Sequence, residues 1–411
     1  MNLSAFIARR VAVNKGFSFA KYITKLSIGA TALSVAVMII SLAIIYGFQG
    51  AVANKVFGFW GHIRVRSYEP TKVLIAEENY IRNNDSILQL IRNIPNVTNV
   101  HAYATKSAIL TTQTDFDGIL MKGIHKAADT SVYAKFLLQG RCIHYNDTSF
   151  SKEILMSKTI TNNLNIKLND AITVYFFDKD AQRTRAKRVQ VVGIYSTDIE
   201  EYDRNFIIGD INLIRDLNNW DSTLIGGYEI MLHNVDKLDE TNTLIKAVLR
   251  NDWQSKSIKE EYSNIFDWLQ LLNTNKYVLL IIMTIVAAIN LITCFIILVL
   301  ERIRMIGILK ALGNSASSIR SIFLFHTLYI GIMGISIGAV VGWLCCILQQ
   351  YTGVVSVSNA EAYSITTIPI SILWWHIPLV CIGTAIICSV VLLIPAYIIN
   401  KIKPVAAIQF Q

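Results

Sequence analysis

Three basic side chains, Arg302, Arg304 and Lys310, stand in the run Leu300-Glu301-Arg302-Ile303-Arg304-Met305-Ile306-Gly307-Ile308-Leu309-Lys310-Ala311-Leu312-Gly313, which continues to Arg320. Four cations face one acid between residues 301 and 320, and the apolar positions recur at helical spacing. Long apolar segments flank the run on both sides. These residue types at this spacing predict a short amphipathic helix at a membrane surface, on which a second protein can push. The work implied is mechanical, with energy supplied by a partner. Catalytic constellations are missing: there is no G-x-x-x-x-G-K-[ST] phosphate loop, no H-E-x-x-H and no Cys/His metal spacing. Seven histidines (His62, His101, His125, His144, His233, His326, His376) occur singly, which favours surface or interface roles over metal ligation. The chain is expected not to be an enzyme and to hold no cofactor of its own.

At the level of the elements that must position this run, an apolar fraction of 53% with 16% charged residues points to a membrane protein. A span needs about 20 mostly apolar residues. Four segments qualify: Leu26 to Phe48, Tyr277 to Leu300, Ser321 to Leu348 and Ile372 to Ile398. The net charge of +9 is +10 on three short stretches less one acid in the loop between spans three and four. Residues 1–25 hold five cations and no acid, the 301–320 loop is net +3, and the tail adds Lys401 and Lys403. The loop between spans three and four contains only Glu361. By the positive-inside rule both termini and the 301–320 loop face the cytoplasm. The basic excess is thereby a topology feature, and no nucleic-acid partner is expected.

Ala51-Val52-Ala53 resembles a signal-peptide cleavage site, but the preceding apolar core runs about 22 residues, beyond the roughly 7–15 of a signal h-region. An uncleaved anchor is expected, and with no lipobox-like cysteine near the start the chain is not expected to be a lipoprotein. Of six cysteines only Cys142 lies outside the spans, so no internal disulfide is expected in the soluble part. Residues 1–25 read as an amphipathic helix on the inner-leaflet interface, the alternative being a plain basic flank.

Residues 50–273 form an α+β extracytoplasmic domain in this reading. Strands are predicted at His62 to Val65, Ser107 to Thr112, Gly118 to Ile124, Ala171 to Phe177, Arg188 to Tyr195 and Tyr228 to Leu232. Helices are predicted at Ser86 to Ile94, Lys152 to Leu164, Ile211 to Leu217 and Lys237 to Leu249, with residues 130–222 inserted between two outer parts. The polar stretch 178–188, carrying Arg183, Arg185, Lys187 and Arg188, reads as a protruding hairpin tip, either merely solvated or a docking finger for an acidic partner. In span three, Gly334, Gly338 and Gly342 repeat every four residues, which suits close helix packing within the chain or a dimer seam. Asn290 is the polar residue at depth in span two, serving helix packing or a substrate cavity. No ionisable residue occupies mid-membrane, which argues against ion coupling. Tyr46, Phe48, Trp268, Tyr277, Trp374 and Trp375 mark an aromatic belt.

The run Ile306 to Gly313 followed by Ser-Ile-Arg-Ser-Ile-Phe resembles the coupling segment of FtsX-like ABC permeases. Further stretches narrow the resemblance to the transmembrane subunits of the lipoprotein-releasing (Lol) system: Phe6-Ile7-Ala8-Arg9-Arg10, Leu26-Ser27-Ile28-Gly29, Tyr46-Gly47-Phe48 and Gly58-Phe59-Trp60-Gly61-His62-Ile63. Glu201-Tyr202-Asp203, Ala287 to Ile292, Ile394-Pro395-Ala396-Tyr397 and Lys403 to Ile408 agree with it. The resemblance implies four transmembrane helices with a large MacB-like periplasmic α+β domain between the first two. It implies an inner-membrane permease of a Gram-negative bacterium that pairs with a second permease subunit. Two copies of a separate ABC ATPase, which bind ATP and Mg, would drive it by mechanotransmission. Arg302, Arg304, Ile306, Gly307, Leu309, Lys310, Leu312 and Gly313 would couple to that ATPase. A lipoprotein would enter from the outer leaflet, sit between spans one and two, and pass to a periplasmic carrier. Val35, Met38, Leu42 and Ile45 on span one, with Ile282, Val286, Ile289 and Asn290 on span two, would line its cavity. The 178–188 tip lies where a carrier-recruiting hook would be, although its basic sequence departs from the hook pattern. Two alternatives stay open: an FtsX-like scaffold that controls a cell-wall hydrolase, and a MacB-like efflux permease.

Overall fold

The computed structural model describes residues 19–69, 77–112, 115–126, 130–146, 149–177, 184–353, 355 and 368–396. Contacts divide the chain into two compact units. One comprises Met1–Gly50, Leu269–Ser356 and Thr367–Gln411; the other comprises Ala51–Trp268 and Val357–Thr366. Most of the proposed interfacial segment, residues 1–18, and the tail from residue 397 lie outside the described residues.

The first unit is helical. Long helices cover Phe19–Trp60, Ser263–Glu301 and Ala316–Thr352, and a fourth covers His376–Val391 followed by a short turn at Leu393–Ala396. All four are long and apolar enough to cross a bilayer. The first helix has 42 residues, which at 1.5 Å each is about 63 Å, roughly twice a hydrocarbon core. It continues past Phe48, where hydropathy alone ends the span, because nothing between Gln49 and Trp60 stops a helix. Gln49, Asn54 and Lys55 interrupt the hydropathy and leave the hydrogen-bond ladder intact. The stop is Gly61, at φ 75°, whose N–H closes on the Phe57 carbonyl at 2.8 Å.

The glycines of the third helix pack within the chain. A Cβ at Gly334 would lie 2.8 Å from Thr31 Cβ and one at Gly342 3.1 Å from Ala36 Cα, while Gly338 sits against Ala32 and Val35. With Thr31, Ala32 and Ala36 opposite, small residues on both helices let the first and third backbones close up.

Among the described residues the second unit is built on twelve strands: β1 (Ile63–Ser67), β2 (Ile81–Arg82), β3 (Val97–Thr111), β4 (Phe116–Ile124), β5 (Leu137–Gly140), β6 (Glu153–Ser157), β7 (Ala171–Phe177), β8 (Thr184–Tyr195), β9 (Phe206–Asp210), β10 (Leu224–Ile225), β11 (Gly227–Leu232) and β12 (Trp253–Ser257). Ten form one sheet in the order β12-β1-β11-β3-β4-β9-β6-β8-β5, with β7 bridging β3 and β8. The strands from residues 130–222 cluster beyond β4, and β1, β11 and β12 lie on the other side of β3. The inserted part therefore shares the sheet of the outer part. The helix expected over Lys152 to Leu164 divides into β6 and a helix at Lys158–Asn163. Ser157, whose Oγ accepts from the Ile160 N–H at 3.1 Å, caps the start of that helix.

A buried ionic network occupies the root of this unit. The Arg64 guanidinium pairs with Glu78 at 2.7 Å and Glu261 at 3.1 Å, and Arg66 pairs with the same carboxylates at 3.3 and 2.7 Å. Arg64 also donates to the Tyr103 hydroxyl at 2.8 Å and lies 4.0 Å over the Trp60 ring. Burial works against the Arg64 charge, yet Glu261, Tyr103 and Glu78 hold its pKa well above the usual value. Beside it, Lys122 pairs with Glu229 at 2.6 Å and donates to the Phe59 carbonyl. Burial brings its pKa down to about 8 despite Glu229. Phe59, Trp60, Tyr202, Phe206 and Tyr262 pack edge to face or stacked around these charges.

Candidate functional site

The run 303–313 folds as expected into a short helix, Ile303–Ala311. Its end is a glycine stop. The Gly313 N–H donates to the Lys310 carbonyl and the Asn314 N–H to the Leu309 carbonyl, each at 3.0 Å, and Gly313 adopts φ 87°. Ser315 then caps the third long helix through the Ser318 N–H at 3.2 Å. Gly-Asn-Ser thus makes a tight elbow that fixes the short helix against the long one. Ile306 and Gly307 are buried, Ile306 packing in one cluster with Leu298, Val299, Ile319 and Phe323. Arg304, Ile308, Leu312 and Gly313 face outward, Ile308 at 50% and Leu312 at 78% exposure. Arg302, Leu309 and Lys310 are half-buried along the flank. The eight expected coupling residues therefore separate into a buried pair, three half-buried on the flank, and three that face outward beside Ile308. The outward group combines a cation with exposed aliphatics, which is the composition of a protein contact.

The lipid-cavity residues do not come together. Val35, Met38 and Leu42 are buried in one cluster with Ile335, Cys346 and Val380, and Ile45 is half-buried. Ile282, Val286 and Ile289 are exposed on the opposite side of the second helix. That helix turns Leu280, Met283, Thr284 and Ala287 inward. Hydropathy cannot register this rotation, because every face of the helix is apolar. Asn290 decides it: its Nδ2 donates to the Ser27 carbonyl at 2.9 Å and to Thr31 Oγ1 at 3.1 Å, tying the first and second helices together.

The basic tip also differs from the expectation. Arg183 and residues 178–182 lie outside the described residues. Strand β8 starts at Thr184, so Arg185, Lys187 and Arg188 are strand residues paired with β7. Arg185 donates to the Asp216 carbonyl at 3.2 Å, Lys187 pairs with the Asp216 carboxylate at 2.7 Å, and Arg188 is exposed. Exposure alternates along Thr184 to Gln190, with Arg185, Lys187 and Val189 on the more buried face and Thr184, Ala186 and Arg188 on the exposed one. Two of these cations are engaged within the unit.

Glu201-Tyr202-Asp203 has a structural role. Asp203 accepts from the Thr197 N–H at 2.9 Å and hydroxyl at 2.8 Å and from the Ser196 hydroxyl at 2.8 Å. Its pKa is nonetheless raised, burial outweighing those bonds. Gly334-Ile335-Ser336-Ile337-Gly338 has the spacing of a nucleophile elbow, but it lies inside the third long helix and not at a strand-to-helix turn. No cluster of three His, Cys, Asp or Glu residues suited to a metal occurs among the described residues.

Residues 277–404 match the family described as FtsX-like permease C-terminal. The chain is 23% identical over 437 aligned positions to the lipoprotein-releasing system transmembrane protein LolC of Neisseria meningitidis serogroup B, covering 100% of both chains. It is 22% identical to the lipoprotein-releasing system transmembrane protein LolE of Haemophilus influenzae, over 93% of each chain. Among solved structures, the periplasmic region of MacB from Actinobacillus actinomycetemcomitans aligns at a TM-score of 0.33 with 12% identity, covering 49% of this chain and 91% of that one. The likeness to FtsX-like permeases covers residues 277–404, and that to the LolC protein covers the whole sequence.

Proposed function

We propose that this chain, whose C-terminal part is an FtsX-like permease domain, is the permease subunit of an ATP-driven ABC complex that extracts lipoproteins from the outer leaflet of the inner membrane. The observation that carries the mechanical part is the helix Ile303–Ala311, anchored by Ile306 and Gly307 and presenting Arg304, Ile308 and Leu312 outward. The full-length likeness to proteins named for lipoprotein release supplies the substrate. Two copies of a separate ABC ATPase bind this helix, and ATP with Mg closes them. Because Ile306 shares a cluster with the second and third long helices, a push on the short helix reaches both. The chain passes from the first helix into the α+β unit and from that unit back into the second helix, which gives the movement a covalent path. An acyl chain is held by burial worth about 0.8 kcal/mol per CH₂, so release needs closure of the apolar surface that holds it. The exposed aliphatic face of the second helix is that surface, completed by a second permease subunit. A soluble periplasmic carrier receives the cargo. The host membrane is the inner membrane of a Gram-negative bacterium, with both termini cytoplasmic.

The test is gentle purification of the tagged chain from its native membrane, with mass spectrometry of its companions. An ABC ATPase together with triacylated lipoproteins is the expected result. The same ATPase with a cell-wall hydrolase or an efflux adaptor, and no lipoprotein, overturns it.

A further inference from the structure

We infer that a cleft within the α+β unit, beside the last turns of the first long helix, holds one acyl chain of the cargo together with its ester or amide group. Resting on the lipoprotein reading above, this site adds a step between the surface on the second helix and the carrier. Every residue that lines the cleft belongs to the α+β unit.

The helix turns one face to the cleft: Ala51, Asn54, Lys55 and Gly58 recur at intervals of three and four residues. Val132, Phe136 and Leu138 form the facing wall. The two walls touch at Gly58, where a Cβ would lie 2.9 Å from the Phe136 ring and 3.5 Å from Val132. The main lobe measures about 700 Å³, and a second lobe of about 210 Å³ adjoins it. Gly58, His62, Val132 and Met231 line both. Sites for small organic groups occupy roughly 300–1,000 Å³ and combine apolar walls with a few placed polar groups.

The lining selects the ligand. Phe57, Val132, Phe136, Leu138 and Met231 supply apolar surface for a hydrocarbon chain. Both acids on the walls, Asp198 and Glu229, are already paired, with Lys55 and Lys122. The polar groups left to a ligand include donors. Lys135 is exposed, with no ion pair among the described residues, and the Asn54 amide is exposed as well. His62 accepts the Leu232 N–H on Nδ1, so its neutral ring carries the proton on Nε2. Donors beside an apolar wall suit a chain that ends in ester or amide carbonyls, which accept hydrogen bonds and bear no charge. An acyl chain drawn out of a membrane loses burial with every CH₂ that meets water. A cargo passing to a soluble carrier therefore gains from an apolar shelter on the way.

The chain, purified from its native membrane with its companions and placed in nanodiscs, is given a tripalmitoylated cysteinyl peptide with a diazirine in its amide-linked chain. Diacylglycerol and free palmitate bearing the same diazirine are the comparisons. After irradiation, adducts are mapped by mass spectrometry. Adducts of the peptide on Phe136, Leu138 or Met231, in excess over those of both comparison probes, are expected. Leu138→Asp should lower them about tenfold by setting a charge on the apolar wall, with adducts in the spans unchanged. Leu138 is 55% exposed, so this variant keeps the packed core intact. Adducts confined to the spans overturn the cleft site. Equal cleft labelling by diacylglycerol or palmitate overturns its assignment to the cargo, and undiminished labelling in Leu138→Asp overturns the role of that wall. Cleft labelling by the peptide in a chain that brings no lipoprotein from its native membrane leaves the site standing and overturns the release reading. Lipoproteins without cleft labelling do the reverse.

Discussion

Leu312 and Gly307 stand five positions apart around one short helix and do opposite things. Leu312 projects outward and Gly307 is buried. Leu312→Asp should therefore abolish co-purification of the ATPase while membrane extraction and folded yield stay unchanged. Gly307→Asp should lower the yield of folded protein as well, since it places a charge inside the packed anchor. Undiminished ATPase recovery with Leu312→Asp would exclude the outward face as the docking surface. His62 is the second informative residue. Its Nδ1 accepts from the Leu232 N–H at 3.1 Å and its ring stacks on Phe57 at 4.6 Å. Burial, aided by the charge of Lys259, lowers its pKa to about 4. The unfolded chain takes up that proton near pH 6.5, so between pH 6.5 and 4 the unfolded state binds more protons and stability falls as pH falls. The unfolding midpoint of the detergent-solubilised protein should drop from pH 7.5 to pH 5 more steeply in the unaltered chain than in His62→Gln. Equal slopes would remove His62 from the pH response.

At the scale of elements, the contact between the first and third long helices is the most sensitive to volume. Gly338→Leu places a side chain against Ala32 and Val35. It should cost about 1–3 kcal/mol as overpacking, seen as a lowered unfolding midpoint. Gly383→Leu, in open space on the fourth helix, should be close to neutral, and equal losses at both positions would refute the packing assignment. The elements also separate what pattern reveals from what it hides. β7 is legible to the residue because its apolar alternation and flanking polar runs bound it on both sides. β6 reads as helix in the sequence because Ile154-Leu155-Met156 is a continuous apolar run, buried on both faces between β8 and β9. Such a run does not distinguish strand from buried helix. β9 and β12 show no alternation to read: Phe206-Ile207-Ile208 is another continuous buried apolar run, and Trp253-Gln254-Ser255-Lys256-Ser257 carries a single apolar residue.

On the scale of the whole molecule, the paired charges at the root of the α+β unit join distant parts of the chain. Arg64 and Arg66 follow the first long helix, and Glu261 precedes the second. Arg64→Met leaves Glu78 and Glu261 short of a counter-charge inside the protein and should destabilise it by about 3–5 kcal/mol. Arg64→Met combined with Glu78→Met should recover part of that loss, as a double-mutant cycle on unfolding midpoints would read. Additive losses would mean that the two residues are not coupled. The ends of the two long helices thus meet one set of charges within the α+β unit. A displacement of either helix end would act on the sheet through that set.

Amphipathic spacing in 300–320 and four apolar segments were enough to determine the membrane class and the short helix between the second and third spans, and the distribution of cations set the topology to expect. Each is a one-dimensional property of the chain: a period, a length or a charge count. The every-fourth glycine pattern likewise announced a close helix contact. Which helix it met, which side of the second span faced inward and which cations were already engaged were settled only by the tertiary structure. A helix that is apolar on every side carries no polar face to orient it, so Asn290 and the glycine seam fix the packing through contacts between residues hundreds of positions apart. The pairing of Arg64 with Glu261 is of the same kind. A charge in a sequence has a sign, and only the folded neighbourhood decides whether that sign is answered.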